Sequence, residues 1–136
     1  MEVILQSPDE DILLAAREMG VGEAVRLTTP SAPPVVTDDP WTAFVMMFHD
    51  RDWEEGLLRQ ALVGRAFYIG ALGSRRTQAA RLDMLAAAGV DAASLQRIRG
   101  PIGLVPSQRD ASQLAISTLA EIVAVSQAAP EVALDP

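Results

Sequence analysis

Short apolar runs alternate with longer stretches in which apolar residues recur every three or four positions. That rhythm predicts strands alternating with helices. Val3-Ile4-Leu5 reads as a short buried strand. Ser7-Pro8-Asp9-Glu10 follows as a helix start, with a capping serine, proline at the first helical position and glutamate three after the cap. Ile12, Ala15, Ala16 and Met19 then share one helical face, and Gly20 can end the helix. A second strand is expected over 24–27. The stretch 28–40 holds four prolines and reads as a connecting loop. The 43–48 run is apolar on both alternations, as in a strand covered on both faces of a parallel sheet. Asp52 with Glu55 forms a capping box for a helix that presents Leu57, Leu58, Ala61 and Leu62.

Ala66-Phe67-Tyr68-Ile69 is the next strand. It breaks into Gly70-Ala71-Leu72-Gly73, and a helix from Arg75 to Ala88 is expected to stop at Gly89. Asp91 caps a short helix through Ile98, residues 102–104 form a brief strand, and Asp110 with Gln113 caps a last helix bearing Leu114, Ile116, Leu119, Ile122 and Val123. The fold expected is α/β with a mostly parallel sheet, the 43–48 strand lying centrally beside the 66–69 strand. Residues 1–129 are read as one domain and 130–136 as a frayed tail.

Composition narrows the function. No apolar run approaches the ~20 residues needed to cross a bilayer, and no signal-like segment opens the sequence, so a cytoplasmic protein is expected. The chain has no cysteine, which excludes disulfides and thiolate chemistry. A net charge of −7 argues against nucleic-acid binding. Its distribution is uneven: residues 65–109 carry seven arginines against Asp83 and Asp91, whereas four arginines face sixteen acids in the remainder. Every cation is an arginine, whose planar fork suits oxyanions.

The 70–76 stretch is therefore the leading candidate site. Gly70 and Gly73 let the backbone approach a ligand, Ser74 starts a helix whose first N–H groups are unpaired, and Arg75 and Arg76 add anion affinity. Ser74 is expected as the helix cap rather than as a nucleophile, because it has no base in view. His49 and Asp50 follow the carboxyl end of a buried strand, where open α/β sheets place ligands. One histidine, no cysteine and the adjacent loop acids Asp50 and Asp52 make no convincing metal site. Asp38-Asp39 and Glu54-Glu55 are explained by solvation and capping, and no residue is assigned a catalytic role. No Gly-x-Gly-x-x-Gly fingerprint opens a first βαβ unit, which weakens an NAD(P) reading.

Phe67-Tyr68-Ile69-Gly70-Ala71-Leu72-Gly73-Ser74-Arg75-Arg76-Thr77, then Ala80-Arg81-Leu82, then Arg97-Ile98-Arg99-Gly100-Pro101-Ile102-Gly103-Leu104 resemble the carboxy-terminal Rossmann domain of the XdhC/CoxI accessory proteins of xanthine dehydrogenase-type molybdoenzymes. The likeness is strong over about 66–125 and looser before it. It departs from the family at Phe48-His49-Asp50-Arg51, at Gln78 and at Val105-Pro106-Ser107. It also implies a three-layer Rossmann-like fold that lacks the usual first strand and glycine-rich turn, with residues 2–6 beside the 43–48 strand in their place. By resemblance the protein binds molybdenum cofactor (molybdopterin) or delivers it to a xanthine dehydrogenase-type enzyme. Gly70, Gly73, Ser74, Arg75 and Arg76 would hold the pterin phosphate, Arg97 or Arg99 would act as a second clamp, and His49 and Asp50 would lie nearby. The role implied is binding rather than turnover. The alternatives are an NAD(P)-binding oxidoreductase-like domain or a protein-interaction module. The missing elements imply a homodimer.

Overall fold

A computed structural model describes residues 1–34, 38–47, 50–105 and 108–128. Contacts divide the chain into two compact units, Met1–Val35 and Val36–Pro136.

In the first unit, β1 (Ile4–Ser7), α1 (Glu10–Glu18) and β2 (Glu23–Arg26) form one βαβ motif. β1 and β2 are parallel and in register from Ile4 opposite Glu23 to Ser7 opposite Arg26. Leu13 and Ala16 on α1 are buried, and so is Leu27 just past β2. The helix starts two residues later than the sequence pattern suggests. Asp9 is the cap, its side chain accepting from the Asp11 amide, while the Ser7 hydroxyl accepts from the Asp9 amide and shapes the approach. Residues 2–6 were expected beside the 43–48 strand. β1 instead bonds to β2 in a sheet of two strands, because a strand–helix–strand unit this short brings its own two strands together first.

The second unit holds β3 (Ala43–Met46), α2 (Arg51–Val63), β4 (Tyr68–Ala71), α3 (Arg75–Ala87), α4 (Ala92–Leu95), β5 (Ile98–Arg99) and α5 (Ala111–Ala128). Its sheet is parallel in the order β3-β4-β5, with Phe44 opposite Ile69 and Ile69 opposite Ile98. β4 is the central strand and is buried along its length, whereas β3 lies at the edge and buries only Met46 fully. Apolarity on both faces thus located β3 as a strand but overstated its burial. The core joins these strands to Leu57, Leu58 and Ala61 of α2 and Leu85 of α3.

Three other expectations shift. α2 is capped by Asp50 rather than Asp52, since the Asp50 carboxylate accepts from the Asp52 amide at 2.9 Å. β4 spans Tyr68–Ala71 rather than 66–69, because the amides of Arg65 and Ala66 are taken by the Asp38 carboxylate at 2.8 and 3.2 Å. Residues 102–104 form no strand. The amides of Gly103, Leu104 and Val105 turn instead to Glu121 and Ser117 of α5, and the last strand is Ile98–Arg99. The expected 130–136 tail lies outside the described residues.

Candidate anion site at the carboxyl edge of the sheet

The three parallel strands of the second unit all point their carboxyl ends toward one edge. β3 runs toward Asp50 at the cap of α2, β4 runs through Leu72-Gly73-Ser74 into α3, and β5 runs into Gly100-Pro101-Ile102-Gly103. Open parallel sheets bind ligands at this edge because helix starts converge there.

The β4–α3 turn has the features that the sequence suggested at its second glycine. Gly73 has φ +143°, and a Cβ there would stand 2.8 Å from the Thr77 methyl, so any larger residue is strained twice. Ser74 is extended, and its hydroxyl accepts from the Thr77 amide at 3.1 Å, which fixes the first turn of α3. Gly70 sits elsewhere than expected. It lies inside β4, opposite Val45 and Arg99, with the Tyr68 ring folded over it so closely that a Cβ would meet the phenol oxygen. The ring accounts for that glycine, and Leu72–Ser74 makes the turn.

The charge at the start of α3 is unusual for a helix N-terminus. α1 and α2 follow the dipole rule, with Glu10 and Asp11 in one first turn and Asp52 and Glu54 in the other. α3 has no acid in its first turn and opens on Arg75 and Arg76, both exposed. Neither forms an ion pair among the described residues. Two cations at the positive end of a dipole weaken the free helix and favour a bound anion.

The remaining candidates separate. Arg99 is exposed at the carboxyl end of β5, opposite Gly70, on the same edge as the turn. Arg97 is at the other end of the sheet, where its guanidinium donates to the carbonyls of Leu62 and Ala66, so it braces the α2–β4 connection. The Asp50 carboxylate is engaged as the α2 cap, and His49 lies outside the described residues. Among the described residues no cluster of three metal-ligating side chains occurs.

Two buried polar groups behind this edge had no clear signal in the sequence. Arg81, 2% exposed, pairs with Glu54, 3% exposed, at 2.7 Å. Glu54 reads in the sequence as a capping or solvated acid, and Arg81 reads only as one arginine of the basic 65–109 segment. Tyr68, fully buried, donates to Glu121 of α5 at 2.5 Å, and the same carboxylate oxygen accepts from the Gly103 amide at 3.2 Å. Burial pushes the phenol well above its ordinary value of 10.0, the Glu121 carboxylate raises it further, and the charge of Arg99 opposes the shift. A groove of about 390 Å³ lies apart from the turn, between Leu104–Val105 and α5. Its lining is mostly apolar and carries no charged side chain, so the anion site is read from the turn and its arginines.

Comparison with known proteins agrees with this architecture. The molybdenum cofactor insertion chaperone PaoD of Escherichia coli is 41% identical over 87 residues, covering 64% of this chain and 27% of the chaperone. A crystal structure of a xanthine dehydrogenase from Bacillus halodurans superposes with a TM-score of 0.69 at 17% identity, covering 94% of this chain and 36% of that one. The chain thus spans about a quarter of the curated relative and about a third of the structural one. The superposition bears out the Rossmann-type α/β fold. The XdhC Rossmann domain matches residues 1–122, and the chain belongs to that family.

Proposed function

We propose that this domain handles molybdenum cofactor as cargo, holding the phosphate of the pterin at the start of α3 for transfer to a xanthine dehydrogenase-type molybdoenzyme. The observation that carries the reading is the first turn of α3: a glycine-permitted turn, a serine cap and two exposed arginines with no ion pair among the described residues, at the positions where α1 and α2 carry acids. The fit to phosphate is chemical. Backbone N–H groups and guanidinium forks donate to oxyanions, and no carboxylate in that turn repels them. The name of the 41%-identical chaperone supports the choice of cargo.

In this reading Gly73, Ser74, Arg75 and Arg76 contact the phosphate, Arg99 adds charge from the neighbouring strand, and Asp50 caps α2 at the same edge. No described residue is given a turnover role. A cytoplasmic location and a homodimer complete the proposal. Titrating inorganic phosphate or pyrophosphate while following the Gly73 and Ser74 amide signals tests it. Saturable shifts that vanish in Arg75→Ala with Arg76→Ala support the site, and unchanged binding in that variant removes it.

A further inference from the structure

Arg81 stands on α3, and its guanidinium reaches three partners, with Nη2 as well as Nε 2.7 Å from the Glu54 carboxylate. Nε donates to Glu54 in the first turn of α2, at 2.7 Å. Nη2 donates to the Leu72 carbonyl at 2.8 Å, in the turn that leads into α3 itself. Nη1 donates to Gln78 Oε1 at 2.7 Å, and Gln78 Nε2 passes the connection on to the Ile98 carbonyl of β5 at 3.1 Å. Gln78 fits there only because residue 100 is glycine: a Cβ would stand 2.2 Å from its side-chain oxygen. The first turn of α2, the turn from β4 into α3 and β5 are thus held by one buried guanidinium and its relay, and Gly100 just past β5 packs against that relay.

We infer that Arg81 is the positioning residue of the carboxyl edge, fixing the Leu72–Ser74 peptides relative to the 99–103 segment, so that the α3 start and Arg99 act as one site. The charge is cancelled by Glu54, and the fork, with donors in fixed directions, does what a lysine cannot. Leu72 shows why such a grip is needed. Its amide still donates to the Met46 carbonyl, and its own carbonyl, at the end of the strand, is satisfied by Arg81. The orientation of the next two peptides, whose amides open α3, follows from that bond.

The test compares backbone amide exchange and pyrophosphate affinity in the parent, in Arg81→Lys, and in the pair Glu54→Met with Arg81→Met. The pair removes both buried charges together and keeps the volume apolar, which spares the fold where one partner alone does not. Both variants should speed exchange at 73–76 and at 99–103 together and weaken pyrophosphate about tenfold or more, as for one lost charge-assisted contact. Arg75→Ala with Arg76→Ala should weaken pyrophosphate without moving 99–103. The affinity readout rests on the phosphate reading above, whereas the exchange readout does not. If the parent binds no pyrophosphate but the variants still loosen both segments, that reading fails and the positioning role stands. Unchanged exchange at both segments in a folded variant overturns it. So does a methionine pair that does not fold, because the network would then be a requirement of the fold and not a device of the edge.

Discussion

Tyr68 is the single tyrosine of the chain, which makes its ionisation directly readable by ultraviolet absorbance. With its folded-state value raised above 10.0, first by burial and then by Glu121, the unfolded chain loses the phenolic proton before the folded one does. Its contribution to stability is therefore full below pH 10.0 and declines as pH rises beyond it. The absorbance change should appear only well above that value and coincide with alkaline unfolding. Glu121→Gln should bring it down while leaving it above the ordinary value, because burial remains. A parent titrating at the ordinary value would contradict the buried assignment. At Arg81 the expectation is one of stability. Arg81→Ala leaves the Glu54 carboxylate buried and unpaired and should cost about 3–5 kcal/mol, read by chemical denaturation. The burial of Tyr68 follows from its place in an apolar strand, but neither its partner nor the burial of Arg81 was legible in sequence, because the partners lie 53 and 27 positions away.

Among the elements, helix starts were the most legible features, since a cap is a local event. Ser74, Asp91 and Asp110 each accept from the amide three residues on, as their sequence contexts suggest. Asp9 and Asp50 displaced the expected caps by two residues, because a carboxylate two positions before a free amide closes an equivalent turn. Strand limits were less legible. The Asp38 carboxylate, in a proline-rich loop, decides where β4 begins by taking the amides of residues 65 and 66, and nothing local signals that bond. Ser74→Ala should cost roughly 1 kcal/mol in thermal melts. The charge of the first turn of α3 yields an opposite expectation. Arg75→Asp should stabilise the anion-free protein by roughly 0.3–1 kcal/mol through the dipole, while abolishing phosphate binding. A variant that loses stability without phosphate would mean that Arg75 has a structural partner and is not held in reserve for an anion.

For the molecule as a whole, the alternation of strand and helix made the parallel α/β class legible, and the family motifs at 67–77 and 97–104 located the candidate edge. The division into two sheets was not legible, because hydrophobic pattern says which residues form strands and not which strands pair. The last helix leaves Ile116, Leu119 and Val123 exposed at 69%, 52% and 58%, in a row free of charge on a chain of net charge −7. Two like-charged copies meet with least repulsion on such a face, which supports the proposed homodimer. Ile116→Glu with Leu119→Glu should give a 14.5 kDa species in sedimentation equilibrium, and a parent already at that mass across the micromolar range would remove the dimer. The central claim is that the α3 start holds a pterin phosphate, and native mass spectrometry of protein purified from cells that make molybdenum cofactor tests it most directly. The account predicts a retained pterin-phosphate adduct that is lost in Arg75→Ala with Arg76→Ala. A nicotinamide dinucleotide in its place, or an adduct that persists undiminished in that variant, would contradict it.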